Sequence, residues 1–174
     1  MGQYQNLFNT LNRAALIPFF VIGDPTAAIS LELVKAAIDA GADVLELGIP
    51  FSDPVADGPT IQKADIRAMA AGMTPAKAID FIKQVTDYKP LPIGLLVYYN
   101  LIYQYGVERF FADFKAAGGT SVLVADLTVD DADEIAPAAT AAGLETVFMV
   151  TPTPPRPASN ASPRQRPALF IPFR

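Results

Sequence analysis

The chain has 174 residues, 51% hydrophobic and 18% charged, with neither histidine nor cysteine. Its length and apolar content suit one globular domain, while a net charge of -5 and a pI near 4.6 argue against nucleic acid or an anionic membrane as partner. The missing cysteine excludes disulfides, thiolate metal sites and thiol nucleophiles. The missing histidine leaves proton transfer to Asp, Glu, Lys, Tyr or water.

The N-terminal segment MGQYQNLF has no basic stretch leading into an apolar core, so no signal peptide is expected there. Ala14 to Ile22 is too short for a bilayer, which needs about 20 residues. The expected setting is cytoplasmic, in keeping with the lack of cysteine. Tyr4, Leu7, Phe8 and Leu11 fall at helical spacing and predict a short leading helix. The apolar run Ala15 to Ile22, closed by Gly23-Asp24-Pro25, reads as a strand buried on both faces.

Ala27, Leu31, Val34 and Ile38 predict a helix stopped at Gly41, and Val44 to Leu47 a second buried strand. Ile61 to Ala71 follows as a helix ended by Gly72. Thr74-Pro75 then supplies an N-cap and a first-turn proline for another helix, to about Asp87. Pro92 to Tyr98 is the third strand. Val107, Phe110, Phe111 and Phe114 mark the next helix, stopped by Gly118-Gly119, and Ser121 to Ala125 is the fourth strand. A helix with Pro137 in its first turn leads through Gly143 to a fifth strand, Thr146 to Val150.

Apolar strands separated by helices mean a parallel sheet under helical cover, either doubly wound or a (β/α)8 barrel. A whole barrel takes about 250 residues, and here the pattern stops after the fifth strand. If the chain ends at Arg174, that strand is expected to present an unpaired edge and an open half-barrel core. Residues 1–150 are read as the folded part. Residues 151–174, rich in Pro and Arg, are expected to be a disordered tail without strands.

Glu46, inside Val44 to Leu47, shares a face with Val44. An ionised carboxylate in such a place loses several kcal/mol of solvation unless it is paired, neutralised or opened to a cavity. A structural hydrogen-bond network is the bland explanation for it. Strand ends in parallel α/β enzymes are where catalytic groups sit, and a raised pKa would suit a residue that both takes and gives a proton. Asp53 and Asp57 lie in a loop, Phe51 to Pro59, stiffened by Pro54, Pro59 and Gly58. Asp in such loops is usually a turn or cap residue, although the constraint around Asp57 suits a positioned carboxylate better than that around Asp53.

No lysine falls on a predicted strand, so Schiff-base cleavage is poorly served. Asp24, Glu46, Asp53 and Asp57 are candidate magnesium ligands, but without histidine metal-free acid–base chemistry by carboxylates is favoured. Phe19, Phe20, Leu96 and Tyr98 are most simply core, with one or two of them available to line an aromatic pocket.

These residues resemble a known family. Pro18-Phe19 with Gly23-Asp24-Pro25, Gly41-Ala-Asp43, LELGIPFSDPVADGPTIQ, Ala71-Gly72-Met-Thr-Pro75, Pro92 to Leu96 with Tyr98 and Asn100, and Val122 to Asp126 are similar to tryptophan synthase alpha subunits as far as about Thr153. The resemblance implies a (β/α)8 TIM barrel with a leading helix, here as about its first five βα units. It implies retro-aldol cleavage of indole-3-glycerol phosphate to indole and glyceraldehyde 3-phosphate, with no cofactor in this subunit and a pyridoxal-phosphate-bearing beta subunit as partner in an alpha2-beta2 complex.

By the same resemblance Glu46 is the catalytic acid–base and Asp57 holds the indole nitrogen. Phe19 and Leu96 belong to the indole pocket, while Asp53 and Pro54 lie in the loop that signals to the beta subunit. The family's phosphate-binding residues belong to a part with no counterpart here. Thr151 to Pro155 still resembles the family and the following residues do not, as a frameshift or a misplaced gene end would produce. The alternative is an inactive fragment that at most binds a beta subunit.

Overall fold

A computed structural model describes residues 2–150 and 169–172. Six strands form one parallel sheet in the order of the chain: β1 (Phe19–Val21), β2 (Leu45–Gly48), β3 (Ile93–Val97), β4 (Ser121–Val124), β5 (Glu145–Val150) and β6 (Leu169–Pro172). The helices are α1 (Gln3–Thr10), α2 (Ala27–Asp39), α3 (Pro59–Ala70), α4 (Pro75–Tyr88), α5 (Tyr99–Tyr105), α6 (Val107–Ala116) and α7 (Ala136–Ala141), with a short 3₁₀ helix, Val129–Glu134, before α7. A doubly wound sheet reverses its strand order at a switch point, whereas this order never reverses. The sheet is therefore part of a barrel, as the second of the two sequence expectations had it.

Local chemistry sets the helix limits. The Thr26 and Thr74 hydroxyls each accept the N–H three residues on, from Ile29 and Lys77 at 3.4 Å, and Pro75 occupies the first turn of α4. Gly118 stops α6 with φ +99°, where a side chain would be strained and would strike Thr86. The helix-facing side of the sheet carries Leu45, Leu47, Ile93, Leu95, Val97, Val122 and Val124, packed with Phe81, Ile82, Phe110, Phe111 and Phe114. Burying each Phe contributes about 2–3 kcal/mol.

Three sequence expectations change. First, the ladder of β1 is only Phe19–Val21, and Leu16 and Ile17 are 50% and 43% exposed. The Leu16 and Pro18 carbonyls accept hydrogen bonds from Asp43 and Glu46, but the exposure of Leu16 and Ile17 shows that the run is not buried throughout. Second, α5 begins directly after β3 at Tyr99, without an apolar period to announce it. Third, Leu169–Pro172 is a strand, paired in parallel with Val147 to Val150, which corrects both the strandless tail and the unpaired edge on β5. Among the described residues β6 is an edge strand, a position that tolerates Pro172. The expected boundary at residue 150 and the rest of the tail lie outside the described residues.

Helix α1 crosses the N-terminal end of the sheet on the side away from the other helices. The Tyr4 and Ser121 hydroxyls share a hydrogen bond at 2.8 Å, the Gln3 N–H donates to Glu145 Oε1 at 3.0 Å, and the Thr120 hydroxyl donates to Gln3 Oε1 at 3.0 Å. Gly94 leaves the room this needs, since a Cβ there would stand 3.0 Å from the Tyr4 oxygen.

Candidate active site

Register places the expected residues in successive rows. Phe19, Glu46, Gly94 and Ser121 are lateral neighbours across β1 to β4, and Val21, Gly48, Leu96 and Leu123 form the next row toward the C-terminal end. Neighbours in register on a parallel sheet share a face, so Phe19, Glu46 and Leu96 stand together. The Phe19 ring lies over Gly48, where a Cβ would come within 2.9 Å of it. Phe19, Gly48 and Leu96 thus form an apolar floor just beyond Glu46.

Glu46 borders a cavity of about 80 Å³ lined also by Tyr4, Phe8, Val44, Ser121 and Leu123. Among the described residues no side chain donates a hydrogen bond to its carboxylate. Burial raises its pKa, because a low dielectric disfavours the charged form. The Tyr4 phenol is pushed up to about 12, chiefly by burial, with the charges of Glu46 and Glu145 adding to it. Val44 and Glu46 both line this cavity, together with Leu45 between them.

Asp57 is held differently. Its backbone N–H closes a turn onto the Pro54 carbonyl at 3.0 Å, and its own carbonyl accepts from Gln62 Nε2 at 2.8 Å. Its carboxylate Oδ2 accepts the Tyr98 hydroxyl at 2.7 Å. Tyr98 is the next residue on its face of β3 after Leu96, so Gly94 and Tyr98 are separated by four residues, about 13 Å along the strand. Glu46 and Asp57 therefore mark the two ends of the floor made by Phe19, Gly48 and Leu96.

Asp53 and Pro54 stand apart from this arrangement. The Asp53 carboxylate is exposed and takes the neighbouring Ser52 hydroxyl, and Pro54 is half-buried. Val55 beside them is 84% exposed. Asp24 is occupied by a bidentate pair with Arg67, at 2.7 and 2.8 Å. Among the described residues no group of three or more Asp, Glu, His or Cys side chains could hold a metal ion. Every lysine from Lys35 to Lys115 lies on a helix or, for Lys89, at a helix end.

Two groups near Asp57 have contacts that the sequence does not announce. Tyr98, expected in the core or lining a pocket, is only 1% exposed, but its hydrogen-bond partner is 41 residues away, a separation that leaves no trace in local pattern. Asp65 on α3 is a buried acid whose pKa is pushed up to about 7, mainly by burial and further by the charges of Asp57 and Asp24. An Asp in the middle of an otherwise amphipathic helix was the available sign.

A singly wound parallel sheet, with Glu46 on β2 at one end of an apolar floor and Asp57 in the loop after β2 at the other, defines the chain as part of a barrel of the (β/α)8 class. The chain belongs to the tryptophan synthase alpha chain family, whose model matches residues 6–160, past Thr153 where the motif resemblance stops. It is 46% identical over 150 residues to the tryptophan synthase alpha chain of Methanothermobacter thermautotrophicus, covering 86% of this chain and 56% of that one. With the alpha chain of Photobacterium profundum it shares 45% identity, covering 87% and 58%.

Among solved structures, the alpha subunit from Legionella pneumophila superposes with a TM-score of 0.85 at 32% identity, covering 90% of this chain and 61% of that one. The tryptophan synthase complex from Pyrococcus furiosus gives 0.77 at 41%, covering 82% and 59%. The chain thus spans somewhat more than half the length of the relatives it matches. Among the described residues no helix is long and apolar enough to cross a membrane.

Proposed function

We propose that the chain supplies the acid–base part of an indole-3-glycerol phosphate lyase in tryptophan biosynthesis. The observation that carries this is the placing of a desolvated Glu46 and a hydrogen-bonded Asp57 at opposite ends of the floor of Phe19, Gly48 and Leu96. A flat bicyclic ring fits an apolar floor. A carboxyl group whose pKa burial raises can deliver a proton to ring carbon C3, and a carboxylate at the other end offsets the positive charge this creates on the ring nitrogen.

The bond from C3 to the carbinol carbon then breaks as the hydroxyl proton leaves. Its electron pair returns to the ring, giving indole and an aldehyde, glyceraldehyde 3-phosphate. One proton enters at C3 and one departs from oxygen, so Glu46 can serve as acid and then as base. No cofactor is needed in this chain.

The exposed loop with Asp53, Pro54 and Val55 is suited to a partner, and we assign it to a tryptophan synthase beta chain carrying pyridoxal phosphate. One neighbouring Pyrococcus furiosus structure is described as an alpha2-beta2 complex. A cytoplasmic setting agrees with a chain free of cysteine.

The test is indole release from indole-3-glycerol phosphate by the 174-residue chain, alone and with a beta chain, with Glu46→Gln as control. Release that disappears in the control supports the reading, and release that survives in it removes Glu46 from the mechanism. The alternative, an inactive beta-binding fragment, is separated from this reading by the same assay. The alternative requires no release from the parent and retained association with the beta chain.

A further inference from the structure

Tyr98 projects from the end of β3, and its single hydroxyl engages the Phe51 to Pro59 loop twice. The hydroxyl stands 2.7 Å from Asp57 Oδ2 and 3.0 Å from the Ala56 backbone nitrogen. An amide N–H can only donate, so the hydroxyl accepts from Ala56 and its one proton is committed to Asp57. The Phe51 ring stacks on the Tyr98 ring at 4.9 Å between centroids and 27° between planes. The start of the loop and the two residues nearest its catalytic end are thereby tied to one buried side chain.

We infer that Tyr98 is the positioning residue of this site: its hydroxyl fixes the rotation of the Asp57 carboxylate and leaves Oδ1 as the free acceptor for the N–H of an indole ring. The inference rests on the reading of Asp57 given above. Rotation about the terminal torsion of an Asp side chain is soft, so without a donor on Oδ2 the carboxylate would sample orientations that do not meet the ring nitrogen. Gln62 secures the carbonyl of Asp57 and not its carboxylate, so it cannot substitute. Burial and the hydrogen bond to Asp57 push the Tyr98 phenol above its ordinary range. It keeps its proton, and its role is to aim a group and not to transfer one.

The test uses the full chain with Tyr98→Phe and Asp57→Asn. Indole itself is a usable fluorescent probe, because the chain contains no tryptophan. The quantity read is the affinity for indole relative to 1-methylindole, which lacks the N–H. The parent is expected to prefer indole about tenfold and Tyr98→Phe to lose most of that preference, with the Ala56 amide exchanging about tenfold faster by hydrogen exchange.

Full preference in Tyr98→Phe, alongside its loss in Asp57→Asn, overturns the role of Tyr98 and leaves Asp57 standing. Preference retained in both overturns the reading of Asp57. The exchange rate needs no bound ligand, and an unchanged Ala56 amide in Tyr98→Phe overturns the inference by itself. If that variant does not fold, ¹³C-tyrosine NMR of the parent decides: the Tyr98 phenol should ionise above the ordinary value of about 10 and should come down in Asp57→Asn. No difference between those two proteins overturns the inference.

Discussion

The two carboxylates of the site are held by opposite means. Glu46 stands over an apolar cavity with no hydrogen-bond donor among the described side chains, on a strand whose register with β1 and β3 fixes its height. Asp57 stands in a loop that cannot fix anything by register, and it is tied down by Tyr98 and Gln62. Burial without a donor favours the neutral form of a carboxyl group, and donated hydrogen bonds favour the charged form. The sheet supplies the first condition and the loop the second.

The largest expected effect tests that division directly. Glu46→Gln keeps the shape and removes the proton carrier, so in a preparation that releases indole, cleavage should fall about a thousandfold. Urea unfolding near neutral pH should show no loss of stability, because no partner is left behind. Asp57→Asn keeps an oxygen for the Tyr98 hydroxyl and removes the charge, and cleavage should fall about a hundredfold. Equal losses in the two variants, measured as kcat/KM, would mean that the carboxylates do not divide the work in this way.

Asp65 makes the comparison sharper, because it is a desolvated acid on the Asp57 side. It is 4% exposed, and Asp57 and Asp24 both act on it with like charge. Its pKa rises from 3.8 to about 7 on folding, so the folded state binds more protons than the unfolded state between those values. Its contribution to stability is then fully present below about pH 4 and is lost as the pH rises through 7. Asp65→Asn should remove that dependence and stabilise the chain at pH 8 by about 2 kcal/mol. Urea unfolding at pH 5 and pH 8 checks this, and a parent whose stability is flat across that window would contradict it.

Much of the sheet was legible because its strands are continuous apolar runs and its helices repeat every three or four residues. The capping threonines and stop glycines marked the helix ends to within a residue or two, with α3 beginning at Pro59 and not Ile61. Glu46 was legible as a charge out of place in a strand. The features that escaped share one cause, which is that they depend on what a residue meets far along the chain.

The exposure of Leu16 and Ile17 depends on which other segments reach them, and local sequence does not encode that. The strand at Leu169–Pro172 depends on β5 being available to pair. Tyr98 has the composition of a core residue and the role of a donor, and Asp65 matters through Asp57 and Asp24 on other segments. The roles of Phe19, Leu96, Asp53 and Pro54 came from the family resemblance and not from periodicity.

The smallest effect asks whether the two regions are independent. Gly94→Ala places a methyl group 3.0 Å from the Tyr4 oxygen and 3.2 Å from Ser121 Oγ, and those two oxygens are themselves only 2.8 Å apart in a hydrogen bond. The methyl group must displace the phenol, and α1 carries that phenol, so the helix has to lift from the end of the sheet or give up the bond. Either response should cost about 1 kcal/mol, seen as a lower urea midpoint. The disturbance lies in the row that contains Glu46, two rows below Tyr98 on the same strand. If Tyr98 and its loop are a separate device, the Ala56 amide should exchange in Gly94→Ala at the parent rate under native conditions. If Ala56 loosens together with Tyr4, the carboxylates are held by one cooperative unit, and the division between strand and loop gives way to a single support for both.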